Sequence, residues 1–187
     1  SGTADGLGRG ARGLAGQMGC WGFEHFCDAT NAEPRAFVWK CCKENYRKNG
    51  VTLFWLDEAE PEYTVADWEL YRYYDGPALE CANEYPVQYA RAFYEGMKAE
   101  GEENIVNLIR CAWAGSAKYG ALVWSGDVPS TFQTLRNQYN AGLHMAMAGI
   151  PWWTADIGGV HGGNLRDPPS HELTARGSEF PTSLPVR

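Results

Sequence analysis

Val51-Thr52-Leu53-Phe54-Trp55-Leu56-Asp57-Glu58-Ala59-Glu60-Pro61-Glu62 is an apolar run that stops abruptly at an acid. Six residues of this kind predict a strand over 51–56, buried on both faces. Asp57 then stands at its C-terminal end, and Glu58, Glu60 and Glu62 follow within five residues. The C-terminal ends of parallel strands are where α/β barrels place their chemistry. A second run, Ala121-Leu-Val-Trp124, ends the same way and delivers Asp127 through Ser125-Gly126.

Outward from these runs, helix and strand patterns alternate. Thr30 or Asn31 caps a helix with Pro34 in its first turn and Gly50 at its end. Phe37, Val38, Cys41 and Tyr46 fall on one side of that helix. The Tyr- and Trp-rich stretch 63–74 reads as helical. A clear helix spans 84–100, with Tyr85, Tyr89, Phe93 and Met97 four apart and Gly101 as its stop. Strand 104–109 ends at Arg110. Ser130 with Gln133 forms a capping box for a helix to about Ala148, with Leu135, Tyr139, Gly142 and Met145–Ala146 inward. Strand 150–153 leads to Asp156 and Gly158-Gly159. Alternation of this kind implies a parallel sheet with right-handed crossovers. All four strand ends then point one way, gathering Asp57, Arg110, Asp127 and Asp156. The informative body is 23–163. Residues 1–22, with eight glycines, read as an irregular N-terminal segment, and 164–187, with four prolines, as an irregular tail.

Composition narrows the partners. The chain has 187 residues, a net charge of −7 and a pI near 5.1, which argues against nucleic acid or an anionic membrane surface. No apolar run approaches the roughly 18 residues of a membrane span. No secretory pattern opens the chain, and a cytoplasmic location is the expectation. The cysteines, at 20, 27, 41, 42, 81 and 111, show no metal spacing and read as reduced thiols. Eight Trp and ten Tyr supply flat apolar faces with a polar edge, which suit sugar rings and buried cores alike.

Each strand-end residue has two readings. Asp57 serves as a helix N-cap or as a catalytic acid. The crowd of glutamates after it favours catalysis, because packed carboxylates repel one another. Asp127 either starts the next helix or, beside the Trp124 indole, acts as a general acid. Arg110 is a structural ion-pair partner or a fork of donors for a carboxylate or sugar hydroxyls. Asp156 with its glycines is a simple turn or an acid that fixes sugar hydroxyls. His25, His144, His161 and His171 show no ligand spacing and receive no role. Two strand-end acids suggest a paired-carboxylate reaction, and glycoside hydrolysis is built on such a pair.

With those residues in hand, the chain resembles glycoside hydrolase family 31, the α-glucosidase and α-xylosidase family. The blocks are Asp28-Ala-Thr-Asn31, Phe54 to Glu62, Arg110-Cys-Ala-Trp-Ala-Gly-Ser116, Trp124-Ser-Gly-Asp127 and Trp153-Thr-Ala-Asp-Ile-Gly-Gly159. They are more similar to bacterial α-xylosidase-like members than to the lysosomal type. The resemblance implies a (β/α)8 barrel, a retaining mechanism and an α-glycoside or α-linked oligosaccharide as substrate. It makes Asp57 the nucleophile and Asp127 the acid and base. It places Trp55, Arg110, Trp124 and Asp156 around the −1 sugar, and implies no metal or organic cofactor.

The chain departs from the pattern at Ala117-Lys118, where the family has an arginine, at Val160, where a phenylalanine is usual, and at Asn31-Ala32. A full barrel needs about 250 residues. The likeness covers a partial barrel, roughly the end of the third strand to the seventh. It leaves out the early strands with their substrate-binding acid, and the eighth with its histidine. An open segment exposes strand edges and core faces, so self-association or a partner chain is expected to cover it. The alternative function is a catalytically inactive carbohydrate-binding or assembly module.

Overall fold

A computed structural model describes residues 17–19, 22–24, 27–60, 71–164 and 166–179. The chain is α/β. Its centre is a four-stranded, wholly parallel sheet of β3 (Trp55–Leu56), β4 (Asn107–Ile109), β5 (Ala121–Trp124) and β6 (Trp153–Thr154), in that order. Helices α1 (Ala32–Asn45), α2 (Ala78–Cys81), α3 (Tyr85–Ala99) and α4 (Phe132–Met147) lie between or before the strands, and α5 (Pro168–Glu179) follows. Strands β1 (Gln17–Gly19) and β2 (Gly22–Glu24) pair antiparallel. The four parallel strands in chain order are what an arc of a barrel requires.

Register explains the core. Leu56 pairs with Ile109, Ile109 with Val123, and Val123 with Trp153. This row is buried, and Phe93 of α3, Trp39 of α1 and Met145 of α4 pack on it. Alternation along a strand sends the neighbours of these residues to the other face. There Trp55 is 64% exposed and Leu53 70%, with Leu108 and Leu122 half-buried. The strand at 51–56 is therefore buried on one face and not on both, and only Trp55–Leu56 is paired.

The helices form close to where their sequences place them. In α1 the Asn31 side chain accepts from the Glu33 amide at 3.0 Å; the helix stops at Asn45, and Gly50, expected to end it, instead closes the following 3-10 turn Arg47–Asn49 at φ 92°. The inward side of α1 is Pro34, Val38, Trp39 and Cys42. Phe37 and Tyr46, expected inward, are exposed. Trp39 takes their place because Gly96 of α3 leaves room for its ring: a Cβ at Gly96 would overlap the indole. In α4 the cap is Thr131, whose hydroxyl accepts from the Thr134 amide at 3.0 Å. The expected Ser130–Gln133 box does not form, since Ser130 donates its amide to the His161 carbonyl at 2.8 Å. Gln133 instead bonds Asn137. Tyr139, expected inward, is exposed, while Gly142 is buried.

Two irregular segments contain structure. Strand β1 lies within 1–22, where pairing with β2 satisfies backbone groups that its glycine-rich sequence left unassigned. Helix α5 lies within 164–187, with the paired prolines Pro168 and Pro169 at its start, where a missing N–H costs nothing, and Leu173 and Gly177 buried. Of the helix expected at 63–74, residues 63–70 lie outside the described residues, and Arg72 instead bridges to Pro77. Asp28 ties this region to α1. Its buried carboxylate accepts from the Thr30 amide and hydroxyl and from the Tyr74 amide, at 3.0, 2.7 and 2.7 Å.

Candidate active site

The row one residue beyond the buried one forms the site. Asp57, Arg110, Trp124 and Thr154 follow Leu56, Ile109, Val123 and Trp153, so alternation puts them on the face away from the helices. The ladder continues at this level, with the Arg110 amide donating to the Leu56 carbonyl and the Ser125 amide to the Thr154 carbonyl. Neighbouring strands lie under 5 Å apart, which brings each strand end into reach of the next.

Arg110 is the hub. Its Nε is 3.2 Å from Glu60, and one terminal nitrogen is 3.6 Å from Asp57 and 3.9 Å from Glu58. Partial burial lowers the guanidinium pKa, but Glu60, Asp57, Glu58 and Asp127 together outweigh it and hold it above its ordinary value. The acidic run after the strand therefore does not crowd unrelieved. One cation offsets part of its charge, and a fourth acid from the next strand end adds its field. Glu62 lies outside the described residues.

Asp57 is 46% exposed at its side chain and accepts from the Glu58 amide at 3.0 Å. Glu58 has φ 51°, a left-handed conformation that a non-glycine residue adopts at a cost. That turn drives Ala59 into the core and leaves Asp57 at the rim. Beneath it, burial foremost raises the Tyr89 hydroxyl to about 12, with Cys42, Cys27 and Asp57 adding to the shift. Cys111, next to Arg110, is likewise raised to about 12, by burial and then by Glu60. Neither supplies an anion near neutral pH.

Trp55 and Trp124 meet edge to face, with ring centroids 5.5 Å apart at 77°. Trp124 thus packs on the other candidate indole. After Trp124 the chain turns through Gly126 at φ 73°, which lies against the Arg110 side chain, and reaches Asp127, 45% exposed. Asp156, half-buried, has its pKa raised, first by burial and then by the charge of Asp127. The six residues singled out in the sequence fall at the same end of the sheet in two sets: Trp55 packed on Trp124, and Asp57 beside Arg110 with Asp127 and Asp156 linked to them through charge.

Two members were not assigned in advance. Glu60 was one acid among several, and nothing in the run distinguishes it as the nearest partner of Arg110. His161 sits with its Nε2 3.9 Å from Asp127 Oδ2. It lies 34 positions along the chain from Asp127, and no local spacing relates the two.

The family model for the glycosyl hydrolases family 31 TIM-barrel domain matches residues 8–186, running past the quoted blocks at both ends. An uncharacterized family 31 glucosidase, ORF2, from Pseudescherichia vulneris is 54% identical over 175 residues, covering 94% of this chain and 33% of that protein. An alpha-xylosidase from Saccharolobus solfataricus is 34% identical over 179 residues, covering 90% of this chain and 23% of its own. Among solved structures, a GH31 alpha-xylosidase from a soil metagenome, complexed with xylose, superposes with a TM-score of 0.93 at 55% identity, over 97% of this chain and 27% of that one. The chain spans a third or less of the length of these relatives. A partial barrel sheet, an ordered set of strand-end acids and a family match across nearly the whole chain lead to one conclusion: the chain belongs to glycoside hydrolase family 31.

Proposed function

We propose that this chain carries the catalytic centre of a retaining α-glycosidase of the α-xylosidase or α-glucosidase type. One observation carries the reading: acids from the two strand ends that flank β4, Asp57 and Asp127, share the field of the single arginine that β4 delivers. The xylose bound by the soil-metagenome relative and the activity of the alpha-xylosidase relative support the choice of substrate class.

The mechanism assigns Asp57 as nucleophile. Its carboxylate bonds the anomeric carbon while the bond from that carbon to the leaving oxygen breaks, and Asp127 gives its proton to that oxygen. The product is a β-glycosyl ester on Asp57 and an ionised Asp127. In the second step Asp127 takes a proton from water, the hydroxyl bonds the anomeric carbon, and the ester bond to Asp57 breaks. Arg110 sets its positive charge beside Asp57 and offers its remaining donors to the sugar. Trp55 and Trp124 give the ring an apolar wall, and Asp156 takes a sugar hydroxyl.

Asp57→Asn and Asp127→Asn should each lower turnover of an aryl α-xyloside or α-glucoside by at least about 10²-fold, the lower range for a general acid or base. NMR of the first product should show the α-anomer. Unchanged turnover in either variant, or a β-anomer first, would rule the assignment out.

A second reading has its own support. Leu53 and Trp55 stand exposed on the sheet face opposite the helices. A non-catalytic sugar-binding or assembly module, covered by a second copy or a partner chain, would use that face. A self-associated chain with no turnover at stoichiometric concentration would favour it.

A further inference from the structure

We infer that His161 is a positioning residue for Asp127, holding its carboxyl in the orientation from which it exchanges a proton. The inference rests on the reading of Asp127 as the acid and base.

The backbone makes the case first. The Val160 and His161 amides both donate to the Val128 carbonyl, at 2.8 and 3.1 Å, and the Ser130 amide donates back to the His161 carbonyl at 2.8 Å. Pro129 and His161 form a parallel bridge. Gly159 lies so close that a Cβ there would stand 2.8 Å from Ser130 backbone atoms. The turn carrying His161 is therefore fastened to the three residues that follow Asp127. Neither residue shifts along the chain without the other.

This ladder delivers the imidazole to the carboxyl, Nε2 to Oδ2 at 3.9 Å. The gap exceeds a direct hydrogen bond by about 1 Å, and catalytic hydrogen bonds commonly tighten only once substrate is bound. The His161 side chain is 65% exposed, so torsion of the imidazole closes it without disturbing the ladder. Among the described residues, Asp156 and Arg110 also feel the charge of Asp127. Arg110 also draws on Asp127. An imidazole holding Oδ2 keeps the carboxyl from turning toward that cation and leaves the other oxygen for the glycosidic bond. As the proton leaves Asp127, the imidazole N–H is available to the new carboxylate. As Asp127 takes a proton from water, the same contact is released.

A residue that works through the acid matters only where the acid matters. An α-xylosyl disaccharide must have its leaving oxygen protonated. An α-xylosyl fluoride releases fluoride as the anion and needs no proton. The water step is common to both substrates, so the comparison is made on kcat/KM, which stops at release of the leaving group: His161→Ala should lose about tenfold more kcat/KM on the disaccharide than on the fluoride. His161→Gln, which keeps a donor, should recover part of the difference. In an Asp127→Ala background, His161→Ala should add no further loss on the disaccharide. Equal losses on the two substrates, or a full additive loss without Asp127, would overturn the role of His161 while leaving the glycosidase reading intact. Absence of turnover by the unmodified chain on both substrates would overturn that reading, and this one with it.

Discussion

Arg110 touches more of the candidate site than any other described residue, and Glu60 is the partner that sets its pose. The 3.2 Å contact to Nε holds the plane of the guanidinium so that one terminal nitrogen faces both Asp57 and Glu58. Loss of that contact leaves Arg110 to pair more closely with Asp57, and a nucleophile held tightly by a cation attacks less well. Glu60→Gln should therefore lower kcat by about tenfold, the effect of roughly 1.4 kcal/mol in a barrier. It should change stability by under about 1 kcal/mol, because the pair is partly exposed and screened. Steady-state kinetics beside a thermal melt would check both. A large loss of stability with unchanged kcat would show the pair to be structural. At this scale the sequence was readable where chemistry is local. Asp57, Asp127 and Asp156 each stand at or just past a strand end, and their strand patterns announce them. Glu60 and His161 were not readable, because their importance comes from a distance across the fold.

Among the elements, α1 and α3 show what fixes the back of the site. Trp39 seats on Gly96, meets Phe54 and Phe93 edge to face, and so packs the helix pair behind β3. Gly96→Ala puts a methyl into the indole, and overpacking of this kind costs about 1–3 kcal/mol. Denaturant unfolding should show that loss. A variant as stable as the parent would mean that the indole has another seat. Helix and strand order followed from apolar periodicity, and α3 and β5 fell close to their expected limits. The inward face of α1 did not follow. A run containing Phe37, Val38, Trp39, Cys41 and Cys42 offers several apolar sides, and the choice was made by a glycine on another helix. The cap of α4 moved one residue for a similar reason, since the Ser130 amide was taken by the His161 carbonyl.

For the whole molecule, four parallel strands with helices on one face place every strand end at one rim, and that rim holds the acids. The sheet topology was legible because alternating patterns admit few connections. The exposure of Trp55 and Leu53 was not, because an apolar run reads alike for a strand covered on both faces and for one that lines the interior of a barrel. The helix at 168–179 was hidden by its prolines, which mark loops more often than helix starts. The central claim is that Asp57 becomes covalently attached to the sugar. A slow-turnover 5-fluoro-α-xylosyl fluoride tests it directly when the protein is incubated, digested and weighed by mass spectrometry. One added fluoroxylosyl group is expected, on the peptide and residue Asp57. A label on any other residue, or none while the substrate is consumed, would contradict it.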